Sequence, residues 1–346
     1  MLITGHTGFK GSWLALWLNS LGAELCGTSL RDVSNPSHWQ TLEIQLKDQA
    51  VDIRNLNTLQ SAINEFQPEA IFHLAAQSLV RKSYRDPLET WTTNVIGTAN
   101  VLEACRNCSS VKAVVVVTTD KCYRNAESVS GYRESDSLGG HDPYSASKAA
   151  AELLVASYRQ SVLPPSQGKL IATARAGNVV GGGDWAEDRL IPDAARAVAA
   201  GRSLEIRSPS AIRPWQHVLD SLSGYLLLGQ QLLEGRAECA DAWNFGPASS
   251  DVHSVSDVLN ATMGHWPHLK WHLSNGSHPH ETTCLSLDTT KAEKELGWRA
   301  VWSFEKVIQQ TAQWYQTYSE SRRVLSKQQI DDYVSDAVAA RLVWAS

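Results

Sequence analysis

"MLITGHTGFKGSWLALWLNSLGAELCGTSL", residues 1–30, predicts a short apolar strand, a glycine turn, an amphipathic helix and a second strand. The helix carries a broad apolar stripe and should end at Gly22, because glycine adopts the left-handed conformation that terminates helices. Gly5, Gly8 and Gly11 fall at the strand-to-helix turn, where they permit close backbone approach. A helix N-terminus there offers unpaired N–H groups to a diphosphate, so the stretch predicts a nucleotide site; a tight turn without a ligand is the alternative.

Four further apolar runs follow at helix-length intervals, at residues 50–53, 70–76, 112–119 and 170–181. Such runs are typical of strands buried on both faces of a parallel sheet. The pattern therefore predicts an α/β protein, with a Rossmann-type doubly wound parallel sheet and a smaller, discontinuous α/β substrate domain. In these sheets nucleotides bind at the carboxyl ends of the strands.

The expected domain boundaries follow from where the chain leaves and rejoins this pattern. We expect residues 1–181 and 215–246 to form the dinucleotide-binding domain, and 182–214 with 247–330 to form the substrate domain. Residues 331–346 form a C-terminal extension, which is part of an amphipathic helix for which the sequence predicts no chemistry.

Composition excludes several classes of protein. The 346 residues carry a net charge of −5, which gives no basic footprint for nucleic acid. No apolar run reaches the roughly 18 residues of a membrane span. The chain begins directly with its first strand, so we expect no signal peptide and a cytoplasmic location.

Cysteine and histidine patterns do not predict a metal site. Cys105 and Cys108 form a C-x-x-C pair, but no second pair follows at zinc-finger spacing. The histidines between residues 265 and 280 lie in a segment broken by Pro, Gly and Asn, which favours a surface loop.

Tyr144 and Lys148 lie four residues apart in "DPYSASKAAAELLVASY", so one helix face carries both side chains. A tyrosine with an ordinary pKa of about 10 is a poor base, and an ammonium group one turn away together with an oxidised nicotinamide ring favours its phenolate. The Y-x-x-x-K spacing alone is common on ordinary helices. Together with the glycine turn and with Thr119 after a central strand, it predicts a hydride-transfer site.

An acid and a base follow that threonine in "VVVVTTDKCY", residues 114–123. A dehydrogenase needs only Thr119, Tyr144 and Lys148, so Asp120 and Lys121 predict a further proton-transfer step, such as loss of water from a keto sugar. The alternative is a solvated pair at a strand end. Neighbouring strand side chains point to opposite faces, so both groups reach one substrate only if the backbone bends after Thr119.

From residue 4 to about 298 the chain resembles the extended short-chain dehydrogenase/reductase family, and within it the nucleotide-sugar 4,6-dehydratases. The matching stretches are "TGHTGFKGSWL", "HLAAQSLVRKSYRDPLETWTTNVIGT", "TTDKCY", "YSASKAAAE", "GNVVGGGDWAEDRLIPD", "RPWQHV" and "LGW". Lys121 stands where most of these dehydratases have Glu, and Lys10 replaces an apolar residue. The resemblance implies NAD, CDP-glucose as the substrate, and a homodimer joined by a four-helix interface. It also implies Asp120 as the acid at the C6 oxygen and Lys121 as its partner near C5.

An epimerase, or a dehydratase acting on a different nucleotide, is the alternative. Asp32 lies about 20 residues beyond the glycines and could bind a ribose hydroxyl, whereas Arg31 could accept a 2′-phosphate. The residues leave NAD or NADP open, and the resemblance favours NAD. The expected cofactor contacts are Gly5, Thr7, Gly8, Phe9, Lys10, Gly11, Asp32, Asp52, Ile53, Leu74, Ala75, Ala76, Gln77, Asn94, Thr118, Tyr144 and Lys148.

A sugar diphosphate requires cations, and arginine offers the better fork for it. The resemblance places Asn178 at the substrate diphosphate and Arg213, in "IRPWQHV", over the nucleotide. Arg81 and Ser83 are expected near the hexose. The substrate contacts we expect are Arg81, Ser83, Asn178, Arg189, Arg207 and Arg213.

Overall fold

The computed structural model describes residues 1–30, 36–125, 131–248, 251–276 and 285–345. The strands are β1 (Leu2–Thr4), β2 (Cys26–Ser29), β3 (Lys47–Ala50), β4 (Ala70–His73), β5 (Ala113–Val117), β6 (Leu170–Ala176), β7 (Val179–Val180), β8 (Leu204–Ile206), β9 (Ile212–Arg213), β10 (Gln216–His217), β11 (Ala242–Phe245), β12 (His253–Ser254) and β13 (Trp271–Leu273). The α-helices are α1 (Phe9–Ser20), α2 (Leu56–Phe66), α3 (Val80–Arg85), α4 (Pro87–Trp91), α5 (Gly97–Arg106), α6 (Pro143–Ser157), α7 (Leu190–Ala199), α8 (Val218–Leu233), α9 (Val255–His265), α10 (Phe304–Ser321) and α11 (Ser326–Ala339). None of these helices is long and apolar enough to span a bilayer.

Seven parallel strands form the central sheet, in the order β11-β6-β5-β4-β1-β2-β3. The chain runs outward from β1 to β3 and then returns to β4 on the other side of β1. This reversal is the topological switch point at which open α/β sheets bind ligands. The valines of β5 are almost fully buried, as their continuous apolar run predicted. The predicted Rossmann-type sheet is confirmed.

The strands predicted at 50–53, 70–76, 112–119 and 170–181 all end earlier than expected, and β5 ends at Val117. β3 ends at Ala50, because the Asp52 side chain accepts a hydrogen bond from the Arg54 backbone N–H (2.9 Å) and turns the chain into α2. β4 ends at His73, before the segment that lines the site. The run 170–181 is two strands, because the chain crosses Pro214 so closely at Gly177 that a Cβ there would lie 2.2 Å from the proline ring.

Short two-stranded ladders replace the long strands beyond β6. β10 pairs with β7, β9 with β12 and β8 with β13, and each ladder contains two or three residue pairs. Four of the six predicted substrate residues lie in, beside or between these ladders, namely Asn178, Arg189, Arg207 and Arg213.

The last helix, α11, packs on the first helix, α1. Tyr333 contacts Trp17 edge-on, with ring centroids 5.7 Å apart. A buried hydrogen-bond chain also joins the two helices, because His38 bonds Ser12 through Nδ1 (2.7 Å) and Ser326 through Nε2 (2.7 Å). The predicted amphipathic C-terminal helix is therefore present, and its apolar face covers α1.

Candidate active site

A cavity of about 860 Å³ lies across the carboxyl ends of β1, β4, β5 and β6. We call its two ends the glycine-loop end, around Gly5–Gly11, and the arginine end, around Arg189, Arg207 and Arg213. Most of the predicted site residues line it: Gly5, Thr7, Gly8, Phe9, Lys10, Gly11, Asp52, Ile53, Leu74, Ala75, Ala76, Gln77, Arg81, Thr118, Thr119, Lys121, Tyr144, Lys148, Asn178, Arg189, Arg207 and Arg213.

The glycine loop forms a cradle that a larger residue would fill. Gly5 has a φ of 77°, and a Cβ there would lie 2.8 Å from the Ala75 backbone. A Cβ at Gly11 would lie 2.1 Å from the Gly5 carbonyl oxygen. Gly8 caps α1 and has no side chain to occupy the N–H groups of the first turn, which remain available to a diphosphate. These residues fit a dinucleotide.

Asp52 and Ile53 lie at the far side of the glycine-loop end. Asp52 is paired with Arg54 (2.6 Å), and these hydrogen bonds lower the pKa of the carboxyl. Ile53 packs on Gly97, where a Cβ would approach it to 2.6 Å. Asp32 lies outside the described residues, so its ribose contact stays a prediction.

Lys10 extends from the first turn of α1 into the cavity wall. Its ammonium group donates to the Tyr225 hydroxyl (3.2 Å) and lies 5.6 Å from the centre of that ring. Burial, assisted by the positive charge of Arg189, lowers the pKa of Lys10 to about 7.

Tyr144 and Lys148 share one face of α6, as predicted. The Tyr144 hydroxyl bonds the Thr119 side chain, but burial raises the pKa of Tyr144 to about 12. Lys148 donates to the Val117 carbonyl oxygen (3.1 Å), and burial lowers its own pKa to about 8. Lys148 therefore does not by itself bring the pKa of the tyrosine toward neutrality, and the positive nicotinamide ring included in the sequence argument is needed as well.

The backbone bends after Thr119, as the acid–base pair requires. Asp120 begins a short 3₁₀ turn, which directs Asp120 and Lys121 to the same region. The Asp120 Oδ1 atom accepts hydrogen bonds from Thr119 (3.0 Å) and from the Lys121 ammonium group (3.3 Å). Its Oδ2 atom is buried and has no hydrogen-bond partner within the described residues. Lys121 also lies 3.4 Å from the Asn178 side-chain oxygen, which links it to the arginine end.

Asn94 and Ser83 stand behind the cavity wall, which corrects two predicted contacts. The Asn94 side chain bonds the backbone N–H and carbonyl of Gln77 (2.9 and 3.0 Å) and Ser147 (2.9 Å), so it fixes the loop that does line the cavity. The Ser83 hydroxyl accepts from the Tyr144 backbone N–H (3.2 Å), so it positions the tyrosine.

At the arginine end, acidic residues already bind two of the predicted cations. Arg189 bonds Asp184 (2.8 Å) and Ser78 (3.2 Å), and Arg81 bonds Asp188 (2.8 Å). Arg207 and Arg213 line the same cavity. The Arg213 guanidinium also donates to the Ile212 carbonyl oxygen (2.7 Å).

Sequence reasoning missed Asp184, Asp188 and Glu152. Glu152 lies four residues after Lys148, so the helical spacing that found Tyr144 and Lys148 could have found it too. The two aspartates lie in an irregular loop, where spacing carries no such signal. No cluster of three or more potential metal-ligating side chains occurs in the part of the chain that the structure describes.

Comparisons with known proteins agree with this geometry. A CDP-glucose 4,6-dehydratase of Salmonella typhimurium is 43% identical over 344 residues, covering 97% of this chain and 96% of the relative. A dTDP-glucose 4,6-dehydratase of Haemophilus influenzae is 27% identical, covering 93% and 99%.

Among solved structures, DesIV, a dTDP-glucose 4,6-dehydratase of Streptomyces venezuelae determined with NAD and TYD bound, superposes with a TM-score of 0.77. It is 26% identical, and the match covers 93% of this chain and 97% of that one. The family model described as GDP-mannose 4,6 dehydratase matches residues 2–311. The resemblance expected from the motifs is confirmed: the chain belongs to the GDP-mannose 4,6 dehydratase family.

Proposed function

We propose that this chain is a CDP-glucose 4,6-dehydratase that uses NAD and forms CDP-4-keto-6-deoxyglucose and water. The observation that carries the proposal is the turn after Thr119, which brings Asp120 and Lys121 beside Thr119 and Tyr144. The choice of nucleotide follows the relative that is 43% identical.

The glycine loop and Lys148, which line the cavity, would hold NAD. Bound NAD would supply an acceptor for the hydride from C4 of the sugar and a donor of the same hydride to C6, so the overall reaction would have no net redox change. Thr119 and Tyr144 hold the C4 hydroxyl, and Tyr144 takes its proton.

Asp120 and Lys121 carry out the elimination. Once C4 is a ketone, the neighbouring C5 hydrogen is acidic. Lys121 removes it after passing one of its own protons to Asp120 along their hydrogen bond. Asp120 gives a proton to the C6 oxygen, which leaves as water. Because the two groups are hydrogen-bonded (3.3 Å), the proton taken from C5 can replace the one that Asp120 gave. Asn178, Arg189, Arg207 and Arg213 would hold the substrate diphosphate.

The test incubates the protein and NAD with glucose carried on CDP, dTDP, GDP or UDP. We expect the alkaline absorbance of a 4-keto-6-deoxy sugar from CDP-glucose, with deuterium from C4 recovered at C6. If the deuterium is lost to water, the internal hydride return is wrong. Turnover of another nucleotide sugar in place of CDP-glucose, or a changed configuration at C4 without loss of water, would instead support a related dehydratase or an epimerase.

Lys121→Met tests the acid–base pair. This variant should still reduce bound NAD with substrate but release product about 100-fold or more slowly, since general acid–base groups typically contribute that much. Normal release of water by this variant would exclude Lys121 as the base.

We also propose a cytoplasmic homodimer. Leu88, Trp91 and Ile96, on the segment that runs from α4 towards α5, and Leu153 on α6 are large apolar side chains that stay exposed in the single chain. Together they provide an apolar surface of the kind that dimer interfaces cover. Light scattering should give twice the chain mass, and Leu153→Asp should lower it; cell fractionation tests the location.

A further inference from the structure

Glu152 is a fully buried carboxylate one helical turn beyond Lys148. It is about 2% exposed and pairs with Arg175 (2.8 Å), which is buried on β6. Its Oε2 atom also accepts from Thr173 (2.8 Å), and its Oε1 atom accepts from the Thr118 hydroxyl. A buried charge normally requires this degree of pairing, so the network could serve the fold alone.

Lys148 and Glu152, one helical turn apart on α6, each bond one of two successive residues at the end of β5. Lys148 donates to the carbonyl oxygen of Val117, and Thr118, the next residue, donates to Glu152. Residue Thr119 follows directly and bonds the Tyr144 hydroxyl. One turn of α6 therefore fixes the end of β5 at two successive residues, immediately before the reacting groups begin.

We propose, building on the function proposed above, that Glu152 is a positioning residue that sets the spacing between Thr119 on β5 and Tyr144 on α6. It touches neither substrate nor cofactor and acts through the Thr118 hydroxyl. A displacement of about 1 Å between reacting groups can cost roughly 100-fold in rate, so such an anchor would affect turnover more than substrate binding.

The carboxylate also acts on Lys148 through its charge. The ionisable groups around that ammonium are Glu152, Cys122, His73 and Lys10. Burial raises the pKa of the Cys122 thiol and lowers that of His73 to about 3, so both are uncharged near neutral pH. The Glu152 carboxylate, which is paired with Arg175, keeps the pKa of Lys148 higher than burial alone would allow.

The test compares Thr118→Val with Thr173→Val. Each variant removes one hydroxyl that donates to the same carboxylate and leaves the Glu152–Arg175 pair intact, so both should fold. Only Thr118 adjoins Thr119. We expect kcat to fall about tenfold in Thr118→Val with KM for the nucleotide sugar within about twofold, and Thr173→Val to keep both constants. Equal losses in the two variants, or a change in KM alone, would overturn the proposal.

Glu152→Gln adds a pH readout. Because the carboxylate raises the pKa of Lys148, its removal should move the alkaline limb of the rate profile to lower pH by about half a unit or more. If Glu152→Gln folds and the alkaline limb of its rate profile stays at the wild-type pH, Glu152 does not raise the pKa of Lys148. Should Glu152→Gln fail to fold, the two threonine variants still decide the positioning role.

A substrate-independent measurement separates this inference from the proposed function. Deuterium exchange at the amides of residues 119–122 should speed up in Thr118→Val but not in Thr173→Val, whichever nucleotide sugar the protein accepts. Failure of the wild-type protein to convert CDP-glucose would refute the function, whereas equal exchange in both variants would refute the anchor.

Discussion

The two ends of the cavity are built differently. The glycine-loop end rests on parallel strands and on glycines that touch the backbone, such as Gly11 against Gly5. The arginine end rests on two-residue ladders and on arginines that acidic side chains hold, such as Arg189 by Asp184. The first end has no room to adjust, whereas the second is held by side chains that can exchange partners. A rigid end suits a cofactor that always has the same shape, whereas an adjustable end suits the part of the cavity that accepts and releases the substrate.

Gly11→Ala should have the largest effect of the substitutions considered. A small effect would contradict the rigidity of the glycine-loop end. The new Cβ would lie 2.1 Å from the Gly5 oxygen and 2.8 Å from the His6 Cα atom, and backbone cannot swing aside. We expect about 3 kcal/mol of destabilisation or more, and loss of measurable NAD binding by calorimetry. Gly264→Ala, whose Cβ meets nothing within 4 Å, is the control and should behave as wild type. A stable, NAD-binding Gly11→Ala protein would mean that the loop is not rigid.

Asp220 is a buried carboxyl on α8, and its titration provides a test of how α8 contributes to stability. Burial raises its pKa to about 6 from an ordinary 3.8, although its Oδ1 atom accepts from the Val301 N–H and the Tyr333 hydroxyl. The folded protein therefore binds this proton more tightly than the unfolded chain, and this carboxyl lowers stability as pH rises from about 4 to about 6. The full effect is about 3 kcal/mol.

Asp220→Asn should flatten that part of the profile, which urea unfolding at several pH values measures. Because an amide oxygen can still accept from Val301 and Tyr333, the fold should persist. An unchanged slope between pH 5 and pH 6 would show that the carboxyl does not titrate there.

Arg189→Lys should give a smaller effect, confined to the arginine end. Lysine cannot bond Asp184 and Ser78 at once in the way the arginine fork does (2.8 and 3.2 Å). We expect KM for the nucleotide sugar to rise about tenfold with little change in kcat, in steady-state assays. Arg202→Lys, at an exposed position that does not line the cavity, serves as the control. A fall in kcat as large as the rise in KM would place Arg189 at the reacting atoms.

Arg81→Ala should have the smallest effect. Its ion pair with Asp188 joins two partly exposed side chains, and such pairs contribute less than about 1 kcal/mol. We expect unfolding to change within that limit, and KM within about threefold. A tenfold rise in KM would show instead that Arg81 contacts the substrate, as the sequence argument expected.

The sequence predicted the regular parts well and the irregular parts poorly. The valine run of β5 and the Tyr144–Lys148 spacing depend on local period, and both predictions are confirmed. Even the bend after Thr119 could be inferred, because two adjacent side chains could reach one substrate only by that route. By contrast, the ion pair between Arg81 and Asp188 joins side chains that are 107 positions apart in the sequence, so no local sequence pattern predicts it.

Misassigned residues show the same limit. Asn94 and Ser83 were predicted to contact the cofactor and the substrate, but neither lines the cavity. They bond Gln77 and Tyr144 instead. Both residues lie close to the cavity, as predicted. Which groups their side chains bond depends on how α3 and the segment after α4 pack against α6, and the sequence does not show this packing. Helical spacing could have found Glu152, but not its ion pair with Arg175, because Arg175 comes from a strand whose alignment with α6 only the fold reveals.

The hydrogen-bond chain through His38 also constrains the order in which the molecule can be completed. His38 and Ser326 are 288 residues apart, so the first helix acquires its final neighbours only after nearly the whole polypeptide has left the ribosome. Until then Trp17 lacks its Tyr333 cover, and the nascent N-terminal segment presents an aromatic surface to solvent or to chaperones. A chain truncated before residue 326 would therefore lack both the partner of His38 and the cover of Trp17, although its N-terminal residues are all present.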